Sequence, residues 1–187
     1  MKIIREDIWN QYWYDKAVSL PKKGGWEWIK NKRILLYKEK SVCKNIANKI
    51  IKTLNDLMGD LNLRFPIEYS GDKNIFDNFP KDSRQKFSKM NFAYVLEDLS
   101  SVKENLGIFD RGIIMLINDY IAEINNPKKY FTGIGDFNGG IMLISLKKGN
   151  FKNYDIIKSV AKHEFVHMVG INLHHLNNKK CLMTERV

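Results

Sequence analysis

Helical and extended patterns alternate along the chain, which predicts an α/β protein, and three observations carry that reading. Residues 41–58 place Val42, Cys43, Ile46, Ala47, Ile50, Ile51, Leu54, Leu57 and Met58 at helical spacing, an amphipathic helix stopped by Gly59. Residues 112–117 and 141–146 are continuous apolar runs of the kind found in strands covered on both faces. The second run stands directly before a segment, capped by Asn153 or Asp155, in which Ile156, Ile157, Val160, Ala161, Phe165, Met168 and Val169 give a helix broad apolar flanks.

A chain of 187 residues fits a single domain over 1–187, with a core large enough to need no covalent staples. Residues 1–32 read as an aromatic-rich N-terminal extension and 153–187 as the functional region. Cys43 and Cys181 are the only cysteines and form no CxxC pair, which excludes a disulfide framework and fits a reducing, cytoplasmic setting. No apolar stretch approaches membrane-spanning length, and residues 1–7 lack the apolar run of a signal peptide, so no membrane partner is expected. The formal charge is +10, but the lysines are mixed with Asp, Glu and Asn and no nucleic-acid-binding module is recognisable. A solvated surface accounts for that charge better than a nucleic-acid partner does.

The first forty residues hold Trp9, Trp13, Trp26 and Trp28 with Tyr12 and Tyr14, read as anchors that pack the segment onto the domain, a lid being their other use. Gly24-Gly25 breaks this segment, and residues 33–37 are a candidate strand. Cys43, on the apolar stripe of the following helix, reads as a small core residue. Leu61, Leu63, Phe65, Ile67 and Tyr69 alternate with polar neighbours, giving a half-buried strand that Pro66 places at an edge or shortens. Residues 71–80 read as loop, and Asp82 or Ser83 caps a helix through 84–87. Residues 92–106 read as further helix, closed by Gly107. Residues 125–127 mark a turn. Gly133, Gly135, Gly139 and Gly140 read as turn glycines, since they form no phosphate-binding fingerprint between a strand and a helix N-terminus. The strand at 141–146 is either an ordinary sheet member or a rail along which an extended peptide pairs.

The functional region begins with His163-Glu164-Phe165-Val166-His167. Helical residues four apart stack at about 5–6 Å between Cβ atoms, so both imidazoles can converge on one ion. Glu164 lies roughly 100° around the helix, too far to be an obvious third ligand but well placed to act on a water beside the metal. Gly170 tolerates the left-handed conformation that ends a helix, and the turn returns His174 and His175 toward the metal. Three His ligands leave a fourth position for water, whose pKa zinc lowers to about 7, and metal-assisted hydrolysis follows with Glu164 as general base.

The pattern His163-Glu-x-x-His167-x-x-Gly170, followed by His and then by Cys181-Leu182-Met183, resembles the archaemetzincins. These are metzincin-clan zinc peptidases whose motif continues through a third His into Cys, four residues, Cys, one residue and Met. Weaker similarity extends through Arg84-Gln85, Asp119-Tyr120 and residues 131–146. The resemblance implies a twisted mixed sheet with helices on both sides and the motif helix under the cleft. It also implies one zinc ion on His163, His167 and either His174 or His175, with Met183 in the turn beneath the metal. The expected substrate is a peptide or protein, cleaved near its N-terminus.

Three departures accompany the resemblance. Leu173 stands where the family places its third His, so that His174 comes one residue late, while His175 comes two late and keeps the family's spacing to Cys181 and Met183. Only Cys181 remains for the family's second, four-cysteine zinc site, which is therefore expected to be absent. Little chain follows Met183 to complete the pocket wall. These departures motivate a second expectation, a catalytically impaired, zinc-stabilised module that binds acidic partners.

Overall fold

The computed structural model describes residues 33–60, 63, 65–74, 84–86, 92–95, 106–108, 110–123, 126–136, 140–147 and 154–169. The elements run β1 (Ile34–Lys38), α1 (Lys44–Asp60), β2 (Ile67–Asp72), β3 (Arg84–Lys86), β4 (Phe92–Val95), β5 (Gly112–Ile117), β6 (Tyr120–Glu123), β7 (Asn126–Phe131), β8 (Gly133–Asp136), β9 (Ile141–Ser145) and α2 (Tyr154–Met168). Five strands form one sheet in the order β2-β1-β5-β9-β8, and four form another in the order β3-β4-β6-β7. In the larger sheet β2, β1, β5 and β9 are parallel, and β8 returns antiparallel to β9.

β1, β5 and β9 are buried along their whole lengths, the physical reason for their apolar sequences, which only Lys38 and Ser145 at the carboxyl ends of β1 and β9 interrupt. Successive side chains go to opposite faces. Ile34, Leu36, Ile114, Leu116, Met142 and Ile144 pack in one cluster with Ile50 and Leu54 of α1 and Ala161 and Phe165 of α2. Leu35, Tyr37, Ile113, Met115, Ile117, Ile141 and Leu143 form the opposite face with Ile121, bordered by Leu106, Ile108 and Ile134. Both described helices therefore cover the same face, and the Thr53 and Tyr154 hydroxyls join them at 2.9 Å.

Polar side chains tie the carboxyl ends of neighbouring parallel strands. The ammonium of Lys38, itself buried, meets Asp72 Oδ1 at 2.7 Å across β1 and β2. Asn118 N–H donates to Glu39 Oε2 at 2.7 Å across the ends of β1 and β5, and Ser145 Oγ donates to the Asp119 carbonyl across β5 and β9. Burial raises the Glu39 carboxyl above its ordinary value, the Asn118 N–H lowers it, Asp119 raises it and Lys147 lowers it.

Several sequence expectations are corrected. Cys43 is exposed and lies just before α1, where its carbonyl accepts the Ile46 N–H at 3.0 Å, so it marks the helix entry and is no core residue. Residues 84–86 and 92–95 are strands, because β3, β4 and β6 complete one another's main-chain hydrogen bonds, a tertiary gain that overrides local helical pattern. Asn126 and Pro127 begin β7, and Gly133 and Gly135 lie in β8. Only Asn118 and Asp119 separate β5 from β6, and only Thr132 separates β7 from β8, so two extended runs pass from one sheet to the other.

The strand expected from Leu61 begins only at Ile67, after Pro66, and runs on through Gly71 and Asp72, which the sequence pattern reads as loop; β2 ends the sheet order, and the Pro66 carbonyl, just ahead of it, accepts the Ile34 N–H at 3.1 Å. The aromatic segment 1–32, Gly139, Asn153 and residues 170–187 lie outside the described residues. Among those described, no helix is long and apolar enough to cross a membrane.

Candidate metal centre

α2 places the site. Its buried residues Ile157, Ala161, Phe165, Val166 and Met168 hold it against the sheet, and this packing fixes which way the intervening polar residues point. His163 and His167, one turn apart, bring their Nε2 atoms to 3.1 Å, with ring centroids 4.7 Å apart and ring planes at 84°. Tetrahedral zinc with Zn–N bonds of about 2.0–2.1 Å holds two ligand nitrogens about 3.3 Å apart, so this pair fits a shared ion. Among the described residues, no group of three His, Cys, Asp or Glu gathers as a metal site. His174 and His175, either of which would be the third ligand, lie outside those residues, as do Gly170, Cys181 and Met183. The last helical residue is Met168, and Val169 follows in a turn.

Glu164 points toward β8. Burial pushes its carboxyl up to about 7, and a hydrogen bond from the Gly135 backbone N–H opposes the rise. A carboxyl poised in this range suits proton transfer near neutral pH.

β8 is the part of the site that sequence reasoning missed. Gly133 and Gly135 pair with Ile144 and Met142, residues of the helix-covered face, whereas Ile134 belongs to the other face. The signal available in the sequence was the two-residue spacing of these glycines around an apolar residue, a strand's period. β9, considered above as a rail for a peptide, is paired with β5 on one side and β8 on the other, leaving β8 as the sheet's outer strand on this side.

No protein-family model matches the chain, and a sequence comparison with curated proteins finds no match. Solved structures do match in fold. Archaemetzincin from Methanopyrus kandleri aligns with a TM-score of 0.58 at 14% identity, over 89% of this chain and 84% of that one. Archaemetzincin from Archaeoglobus fulgidus, solved with malonate, aligns with a TM-score of 0.51 at 15% identity, over 81% and 85%. A zinc-dependent peptidase from Methanocorpusculum labreanum strain Z gives a TM-score of 0.51 at 13% identity, over 81% and 87%. With its mostly parallel five-stranded sheet, its antiparallel outer strand and its two described helices on one face, the chain has an archaemetzincin-like fold.

Proposed function

We propose that this protein is a zinc-dependent metallopeptidase that hydrolyses peptide bonds. The observation that carries the reading is the convergence of the His163 and His167 Nε2 atoms at 3.1 Å, with Glu164 on the adjacent helical position. The fold shared with zinc-dependent peptidases supports it. His163, His167 and either His174 or His175 would hold one zinc ion, with Met183 in the turn below. When bound, zinc supplies Lewis acidity that polarises the scissile carbonyl and acidifies water.

Glu164 accepts the proton of the attacking water and delivers it to the leaving nitrogen, while its hydrogen bond from Gly135 keeps the carboxylate beside β8. An extended peptide fits the outer edge of β8 as an added strand, since main-chain groups there have no strand partner among the described residues. A single domain over 1–187, with 1–32 as an extension and 153–187 as the zinc-binding region, is part of this proposal. So are a reducing, cytoplasmic setting, argued from two separated cysteines, and cleavage near peptide N-termini.

The test is metal content by mass spectrometry and hydrolysis of a peptide library by wild type and Glu164→Gln. One equivalent of zinc in both proteins, with turnover in the wild type alone, is expected, and library products locate the cleaved bonds. Full activity in Glu164→Gln removes the assignment. Zinc without turnover in the wild type favours the second reading, a zinc-stabilised module for acidic partners, which the displaced third His motivates.

A further inference from the structure

Gly133 and Gly135 are the two positions of β8 on the helix-covered side of the sheet, and conformation does not explain either glycine. The described glycines with positive φ are Gly71, Gly107 and Gly140, so the backbone at 133 and 135 is one that any residue adopts. Space explains them. A Cβ at 133 would stand 2.6 Å from Glu164 Cγ and 2.7 Å from Val160 Cγ1. A Cβ at 135 would run into the main-chain carbonyl oxygen of Glu164 and stand 3.2 Å from His167 Cβ. The first collision is with side chains, and the second is with the helix backbone in the turn that carries both imidazoles.

We infer that Gly133 and Gly135 are positioning residues with separable tasks. Gly133 keeps open the corridor through which the Glu164 side chain reaches along β8. Gly135 sets how closely the His163–His167 turn approaches the sheet, and its N–H holds the Glu164 carboxylate. The catalytic meaning of this inference rests on the metallopeptidase reading; its geometry does not.

The two glycines therefore differ in what a methyl group disturbs. Gly133→Ala displaces the Glu164 side chain, which has rotamers to move into, and leaves the imidazoles where they are. Gly135→Ala has no flexible atom to push aside, so the helical turn itself shifts and the histidines shift with it. A displacement of about 1 Å at a reacting group lowers turnover by about 100-fold.

The experiment uses the full chain loaded with zinc and has two independent readouts. Zinc affinity, from competition with a chromophoric chelator, and kcat on a cleavable peptide are measured for wild type, Gly133→Ala and Gly135→Ala. In parallel, the Gly135 amide is followed by 1H–15N NMR in these proteins and in Glu164→Ala, which removes its acceptor. Gly133→Ala is expected to keep zinc affinity within about threefold, to lose about 100-fold in kcat, and to move the Gly135 amide upfield as Glu164→Ala does. Gly135→Ala is expected to lose zinc affinity as well.

An unmoved Gly135 amide in Gly133→Ala, or zinc affinity falling there in step with kcat, overturns the inference. If Gly133→Ala does not fold, Gly133→Ala/Val160→Ala removes the second collision and is read by the same criteria. A wild type that hydrolyses nothing while its Gly135 amide responds as expected leaves the positioning roles standing and removes the peptidase reading.

Discussion

His163 and His167, both half-buried, hold their Nε2 atoms 3.1 Å apart on a helix whose core-facing side is sealed by Phe165 and Ala161. Two imidazoles in that relation fit a shared ion, and the seating of α2 on the sheet through Phe165 and Ala161 sets the arrangement. Zinc at about 1,000 times its Kd is expected to stabilise the wild type by about 4 kcal/mol, read as a rise in melting temperature. His163→Ala and His167→Ala should each abolish the rise, and His174→Ala and His175→Ala, compared separately, should identify the third ligand. An unchanged zinc response in His167→Ala would refute the site.

Phe165 is fully buried between the two histidines in sequence, on the face of α2 that meets the sheet. Phe165→Ala is expected to cost about 3–5 kcal/mol in urea unfolding, by lost transfer free energy and the cavity left behind. A loss below about 1 kcal/mol would mean that α2 does not seat as described.

The Thr53–Tyr154 hydroxyl pair is a local test of how α2 docks on α1. Thr53→Val and Tyr154→Phe should each cost about 0.5–1.5 kcal/mol, and the double variant should cost less than their sum. Strict additivity would show that the two groups do not interact.

Glu39 gives a pH dependence of definite sign. Its carboxyl lies above its ordinary value in the fold, chiefly through burial, so its contribution is most favourable while it is protonated and is lost as pH rises through the folded value. Glu39→Gln keeps an oxygen for the Asn118 N–H and removes the charge. The variant should melt at or above the wild-type temperature near pH 8, by up to a few degrees, and the difference should shrink as pH falls toward about 4.5. A variant several degrees less stable near pH 8 would show that the ionised carboxylate stabilises the fold.

Much of this architecture was legible in the residues. The runs at β5 and β9 are buried on both faces and carry no conflicting signal, and the periodicity of α1 matched a helix packed on one side. The approach of His163 to His167 was legible because helical spacing alone determines their separation. The second sheet was not legible. β4 is held by parallel main-chain pairing with β6, well separated from it in sequence, with β3 added antiparallel on its other side, and local pattern does not encode these partners. The β8 glycines were misread for a related reason: a glycine wanted for its missing side chain looks the same in sequence as one wanted for its conformation, and only the helix packed against it tells them apart.

That strip of bare backbone also acts as a proofreading device for strand register. Sliding β8 by one residue against β9 would exchange Gly133 and Gly135 on the helix-covered side for Thr132 and Ile134, whose branched Cβ atoms would wedge α2 away from the sheet. The paired histidines then come to rest beside the sheet only when β8 is correctly aligned, and, with the proposed zinc site, recovery of zinc uptake during refolding would report that alignment.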